Sequence, residues 1–233
     1  MSELQFTRYA IFHTPPPGPL ADFTAAWLGW DSQRGTVPTP PEIDLPLPLN
    51  KIAKSPRKYG FHGTLKPPFR LAPGQSENRL RDQLARFCEE QKPVALGAMA
   101  VGDFGGFLAL TLQEPSDTLN RLAAAVVEQF DPFRATLSEA ELARRRRSRL
   151  SPQQETHLQN WGYPFVMDQF RYHMTLTGGG LNPALRQQVL AALSPRLMPH
   201  LPDPYVIGDI TLMGEALDGK FHQIARYPLG QTA

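Results

Sequence analysis

KYGFHGTL at residues 58–65 returns as QFRYHMTL at residues 169–176. Aligned, the two stretches share aromatic–x–aromatic–His–x–Thr–Leu. Each is followed by the same order of elements. After the first come a helical pattern over 76–91 and strand patterns at Val94–Val101 and Phe107–Gln113. After the second come a helix from the Asn182 cap and Pro183 to about Leu193, then strand patterns at Tyr205–Met213 and Lys220–Arg226. A lone His-x-Thr-Leu arises easily by chance. Two with the same aromatics before and the same elements after indicate an internal duplication, and so two related lobes.

Working outward, residues 5–13 read as a strand stopped by Pro15, and 19–30 as a helix. The five prolines between Thr36 and Leu49 impose an extended loop. Ser116–Gln129 reads as a helix, and 138–160 as a polar helical stretch with Ser138 and Glu141 placed as a capping box. The expected fold is α+β over residues 1–233. Two pseudo-symmetric lobes, one carrying His62 and one His173, each form an antiparallel sheet backed by helices, with a central cleft.

Composition narrows the class. The chain has 233 residues and is 41% hydrophobic, enough for a packed core without staples. Its 24 Lys+Arg and 22 Asp+Glu leave a net charge of +2, too balanced for bulk capture of long nucleic acid. The single cysteine, Cys88, excludes an internal disulfide and any multi-cysteine metal site, and reads as a small buried hydrophobe. No apolar run is long enough to span a membrane, and the N-terminus carries no signal-peptide core. A cytoplasmic protein with no obligate protein partner is expected.

Side chains alternate along a strand. That parity sends Tyr59, Phe61, Gly63 and Leu65 to one face and Lys58, His62, Thr64 and Lys66 to the other. In the second copy Tyr172, Met174 and Leu176 face the core, and Arg171, His173 and Thr175 the opposite side. Each copy thus projects an imidazole, a hydroxyl and a cation. Hydroxyls and cations suit phosphate oxygens, and imidazole exchanges a proton near neutral pH. Two histidines flanking one phosphate need no metal, and His-x-Thr without a neighbouring carboxylate or thiol is a poor metal site. Tyr9 and Arg8 join the cleft candidates if the first strand lies beside a motif strand.

The pattern resembles the 2H phosphoesterase superfamily, the RNA-ligase-like/cyclic phosphodiesterase fold named for two His-x-Ser/Thr motifs in lobes related by a pseudo-twofold. Here these are His62-Gly63-Thr64 and His173-Met174-Thr175. More narrowly, YGFHGTLKPPFRLA (59–72) and RYAIF (8–12) are similar to a bacterial DUF1045-type branch associated with phosphonate metabolism genes. The resemblance implies hydrolysis of a small cyclic phosphate ester without a cofactor. His62 and His173 would be the acid/base pair, and Thr64 and Thr175 would hold the phosphate oxygens. Lys66, Arg171 and Tyr9 are substrate-binding expectations added from strand parity and placement. Two other readings stand beside this one: an RNA end bearing a 2′,3′-cyclic phosphate as substrate of a phosphodiesterase or ligase, and a non-catalytic module binding a phosphorylated ligand. The arginine run Arg144–Arg147 is read as a solvated helix face paired with Glu139, Glu141 and Glu155, and Gly178–Gly180 as a plain connecting loop.

Overall fold

The computed structural model describes residues 4–230. Chain order is β1 (Phe6–His13), α1 (Pro19–Leu28), α2 (Leu49–Ile52), β2 (Gly63–Phe69), α3 (Glu77–Glu90), β3 (Val94–Leu96), β4 (Met99–Asp103), β5 (Leu108–Leu112) and α4 (Asp117–Gln129). Then follow α5 (Glu139–Arg146), α6 (Pro152–Trp161), β6 (His173–Thr175), α7 (Pro183–Leu197), β7 (Tyr205–Ile207), β8 (Asp209–Ala216) and β9 (Phe221–Pro228). The caps form as their residue types dictate. Ser76, Ser116 and Asn182 accept from backbone N–H groups of α3, α4 and α7, and Ser138 and Ser151 complete capping boxes on α5 and α6.

Seven strands make one antiparallel sheet in the order β4-β5-β6-β2-β1-β8-β9. It is two half-sheets, β4-β5-β6 and β2-β1-β8-β9, that meet where β2 and β6 pair at Gly63 and Met174. The hairpins are exchanged between the halves. The β4–β5 hairpin, which follows the first motif in sequence, packs beside the second motif strand; β8–β9, which follows the second, packs on the side of the first. The expected strands 94–101 and 205–213 are each broken near a glycine, Gly97 and Gly208, and their first segments leave the main sheet to form the separate ribbon β3–β7.

One face of the sheet is the core. Tyr9, Ile11, Leu65, Leu110, Met174 and Leu212 pack there against Leu84 of α3, Val126 of α4 and Leu193 of α7. Trp27 and Trp30 serve packing, their indole N–H groups donating to the carbonyls of Leu176 and Phe221, 2.8 Å each. Cys88 is fully buried, and burial pushes its thiol up to about 12, consistent with an inert hydrophobe. The opposite face, with Ala10 and Phe12 of β1 and Met213 of β8, carries the site. Among the described residues no helix is long and apolar enough to cross a membrane.

Candidate active site

The bridge from Gly63 to Met174 pairs the centres of the two His-x-Thr motifs in antiparallel strands. His62 and Thr175 therefore flank it on one side, and Thr64 and His173 on the other. Gly63 is required by its neighbour. A Cβ there would lie 2.3 Å from Cε2 of Tyr172, the aromatic that precedes the second histidine.

The two imidazoles are held alike. His62 Nδ1 lies 2.9 Å from the Gly60 carbonyl, and His173 Nδ1 2.8 Å from the Arg171 carbonyl, each two residues upstream. A carbonyl only accepts, so each Nδ1 carries the proton and each Nε2 presents a lone pair. The Thr64 hydroxyl fills that role at rest, donating to His62 Nε2 at 3.1 Å. Each ring is also fixed by an aromatic: Phe12 stacks on His62 at 3.8 Å between centroids, and Phe104 on His173 at 4.3 Å. Desolvation pushes His62 down to about 4, partly opposed by the Gly60 carbonyl and reinforced by the neighbouring His173. His173 is lowered as well, first by desolvation, then by the Arg171 charge, with the Arg171 carbonyl opposing. Both rings are neutral at pH 7 in the unliganded protein.

Two adjoining cavities open over these groups. One, about 420 Å³, is lined by His62, Thr64 and Thr175 together with Arg8, Arg144 and Arg145. The other, about 490 Å³, is lined by His173 and Thr64 with Phe104, Phe107, Phe165 and Arg171. They share Thr64, Pro67, Phe107 and Tyr163 as walls, so the four motif residues border one continuous cleft. Its roof comes from the 138–170 segment, which carries Arg144, Arg145, Gln154, Tyr163 and Phe165 to the site. Among the described residues no three His, Cys, Asp or Glu side chains cluster in a way that could hold a metal.

The three substrate-binding expectations, two from strand parity and one from strand placement, resolve differently. Arg171 is at the cleft, its guanidinium 4.6 Å from the Phe104 ring centroid. Lys66 is not at the cleft. It is fully buried in the core face, its Nζ donating to the Val127 carbonyl at 3.0 Å and lying 3.6 Å from Asp131. The pairing explains why: Phe12 faces Thr64 but Ile11 faces Lys66, so Leu65 is an extra residue and the alternation flips at a bulge. Tyr9 also points into the core, its hydroxyl donating to Glu77 at 3.0 Å. Its neighbour Arg8 faces the cavity.

Sequence reasoning missed the roof. Arg146 does pair with Glu155, at 2.6 Å, as a solvated face would. Arg144 and Arg145 turn the other way, into the cavity wall. The helix break between α5 and α6, at Ser151-Pro152, is the signal that this stretch is no single solvated rod. Gly178 and Gly179 likewise line the cavity, although the Gly178 N–H is spent on the Ile52 carbonyl at 2.7 Å.

The fold and the cleft define an α+β protein built around a paired His-x-Thr site. The family model described as "Protein of unknown function (DUF1045)" matches residues 64–222, and the chain belongs to that family. It is 39% identical over 183 residues to a ribose 1,5-bisphosphate phosphokinase PhnN of Janthinobacterium sp. (strain Marseille), covering 76% of this chain and 40% of that one. It is 32% identical over 179 residues to a protein of the same name from Laribacter hongkongensis (strain HLHK9), covering 73% and 40%. The chain thus spans about 40% of the length of these curated relatives. Among solved structures it is similar to E. coli LigT complexed with ATP, at 16% identity and a TM-score of 0.43 over 97% of this chain and 99% of that one. A structure titled as a phosphoesterase gives 17% identity and a TM-score of 0.42 over the same shares.

Proposed function

We propose that the cleft is the active site of a metal-independent phosphoesterase that opens a small cyclic phosphodiester, a sugar or nucleoside cyclic phosphate, by two-histidine acid/base catalysis. One observation carries the reading: two imidazoles, tautomer-fixed by the same carbonyl contact, each with a threonine beside it, border one cleft from both sides of a single bridge. The phosphate would take the Thr64 and Thr175 hydroxyls on its non-bridging oxygens, freeing His62 Nε2. His62, pushed down to about 4, is the group that stays neutral and accepts the proton of the attacking water. A bound anionic phosphate raises the affinity of His173 for a proton, which Nε2 gives to the leaving ring oxygen. Water's oxygen bonds phosphorus, the ring P–O bond breaks, and a phosphomonoester results.

The sequence carries no P-loop for the phosphokinase activity named for the longer relatives. The stretch nearest a P-loop, GEALDGK at residues 214–220, has Phe221 where that motif takes Ser or Thr, and it folds as the β8–β9 hairpin. The relatives' name, a ribose bisphosphate phosphokinase, supports a sugar phosphate as the substrate class. An RNA end is the second reading, favoured by the aromatic wall of Phe104, Phe107 and Phe165, on which a base can stack.

The test is hydrolysis, in EDTA, of a panel of 2′,3′-cyclic nucleotides, ribose cyclic phosphates and an oligoribonucleotide with a cyclic end. The parent protein should turn over at least one, and His62→Ala or His173→Ala should each lose about 10²–10⁴ in rate while the fold survives. Parent-like turnover in either variant, or activity abolished by EDTA, defeats the mechanism.

A further inference from the structure

The cavity that holds His62, Thr64 and Thr175 has further cationic groups in its wall. Arg8 of β1 and Arg144 and Arg145 of α5 line it together with the motif residues. Arg8 is committed, paired with Glu215 through two hydrogen bonds, and Lys58 lies 3.7 Å from the same carboxylate. Arg144 and Arg145 make no ion pair among the described residues, although Glu139, Glu141 and Glu155 all lie within reach in sequence. Glu141 goes to Arg70 and Glu155 to Arg146.

Arg145 is the most informative of these groups. Its guanidinium lies 4.9 Å from the Tyr163 ring centroid, which fixes it. Its Nε is buried and without a hydrogen-bond partner. A guanidinium stays charged in proteins, so burial does not relieve this donor by neutralising it. Buried donors are satisfied in nearly all native structures, so an orphan in a cavity wall calls for an acceptor from outside the chain, a water or an anion. Carboxylates would have been the protein's own solution. Leaving two guanidiniums free over one cavity suits a multi-oxygen anion, for which planar forked donors are the best match.

We infer that Arg144 and Arg145, backed by Arg8, form a second anion site, and that the ligand of this cleft carries a further phosphate besides the one at the His–Thr pair. This deepens the phosphoesterase reading and rests on it for the position of the first phosphate. The second phosphate is either a terminal phosphomonoester of a small molecule or the next backbone phosphate of an RNA end.

Calorimetry with unreactive ligands tests the site apart from catalysis. The probes are 3′-AMP, adenosine 3′,5′-bisphosphate, and the dinucleotide ApAp, whose additional phosphate is an internal diester. The parent should bind the bisphosphate about 10- to 100-fold tighter than 3′-AMP, the yield of one or two charge-assisted hydrogen bonds. In Arg144→Gln/Arg145→Gln that ratio should fall to near one. If the double variant does not fold, Arg144→Gln alone, at an exposed position, should shrink the ratio. ApAp matching the bisphosphate would assign the site to RNA backbone, and ApAp matching 3′-AMP to a terminal phosphate; either supports the second site. Equal affinities in the parent, a ratio that survives the substitutions, or no binding by any probe overturns it. Hydrolysis of adenosine 2′,3′-cyclic phosphate with and without a 5′-phosphate separates the two readings. A binding ratio that stands while neither these esters nor any member of the hydrolysis panel turns over sinks the phosphoesterase reading and leaves the anion site in place.

Discussion

Gly63 and the two imidazoles set what a single substitution can show. Adding a Cβ at Gly63 puts carbon 2.3 Å from Tyr172 Cε2 and 2.5 Å from Cζ, and Tyr172 is a buried aromatic with no free side to swing toward. Overpacking of this kind costs about 1–3 kcal/mol. It also pushes apart the bridge between the two motifs, so Gly63→Ala should lower both the melting temperature and kcat. Unchanged kcat in a folded Gly63→Ala protein would show that the bridge does not set the distance between the histidines. The pH profile belongs at this scale too. Catalysis needs one imidazole neutral and one protonated, and both are lowered in the free protein. The profile of kcat/KM should therefore be a bell lying on the acid side of pH 6.5, the usual value for histidine. The profile of kcat should extend to higher pH, because bound phosphate favours the protonated ring. A kcat/KM plateau running through pH 8 contradicts this.

At the scale of elements, the two His-x-Thr strands were legible because alternation holds across five residues of each. Past Leu65 it fails, and with it the placement of Lys66. A bulge is written in the pairing of two strands, not in the sequence of one, so parity counting runs through it unaware. Tyr9 shows the complementary limit. The strand was legible, but which of its faces met the cleft depended on a partner strand far away in sequence. The arginine run misled for a similar reason, since a helix with charge on every side does not announce which charges a tertiary neighbour will cover. The relocated Lys66 makes a prediction that a catalytic lysine would not. Its ammonium, pushed down to about 8 by burial and partly held up by Asp131, satisfies the Val127 carbonyl at the end of α4. Lys66→Met leaves that carbonyl without its donor, while Asp131 keeps Arg134, a cost of about 1–3 kcal/mol. Denaturant unfolding should show that loss while kcat/KM per folded molecule stays near the parent value. A collapse of kcat/KM with stability intact would return Lys66 to the site.

Across the whole molecule, the duplication was legible but its topology was not. Two repeats of strand, helix and hairpin were expected to close as two sheets, and each hairpin instead crosses to the other repeat's side of one sheet. Local pattern fixes neither choice, since an antiparallel edge accepts any hairpin whose apolar face matches the core. One consequence is that β1, β7 and β8 converge on His13. It is 1% exposed, with Nε2 2.9 Å from the Tyr205 hydroxyl and Nδ1 3.3 Å from the Asp209 carbonyl. Burial pushes it down to about 4, with the Asp209 carbonyl opposing and the Arg226 charge assisting. The unfolded chain protonates this ring near pH 6.5 and the folded protein does not until about pH 4, so between them the unfolded state binds more protons and stability falls as pH falls. From pH 7 to pH 5 one such histidine costs about 2 kcal/mol, or about 4–8 °C in melting temperature for a chain of this size. Depressed carboxylates such as Glu141, at about 2, and Glu215 lose their contribution as pH falls from the usual carboxylate range downward, and Asp209, raised by burial, works in the opposite direction. The window from pH 7 to pH 5 therefore isolates the histidines. His13→Gln, which removes the titration, should melt lower than the parent at pH 7 but lose less on going to pH 5, with the remaining slope set by His62 and the other lowered rings. Parallel melting curves for parent and variant across that window would show that His13 is not held neutral by the fold.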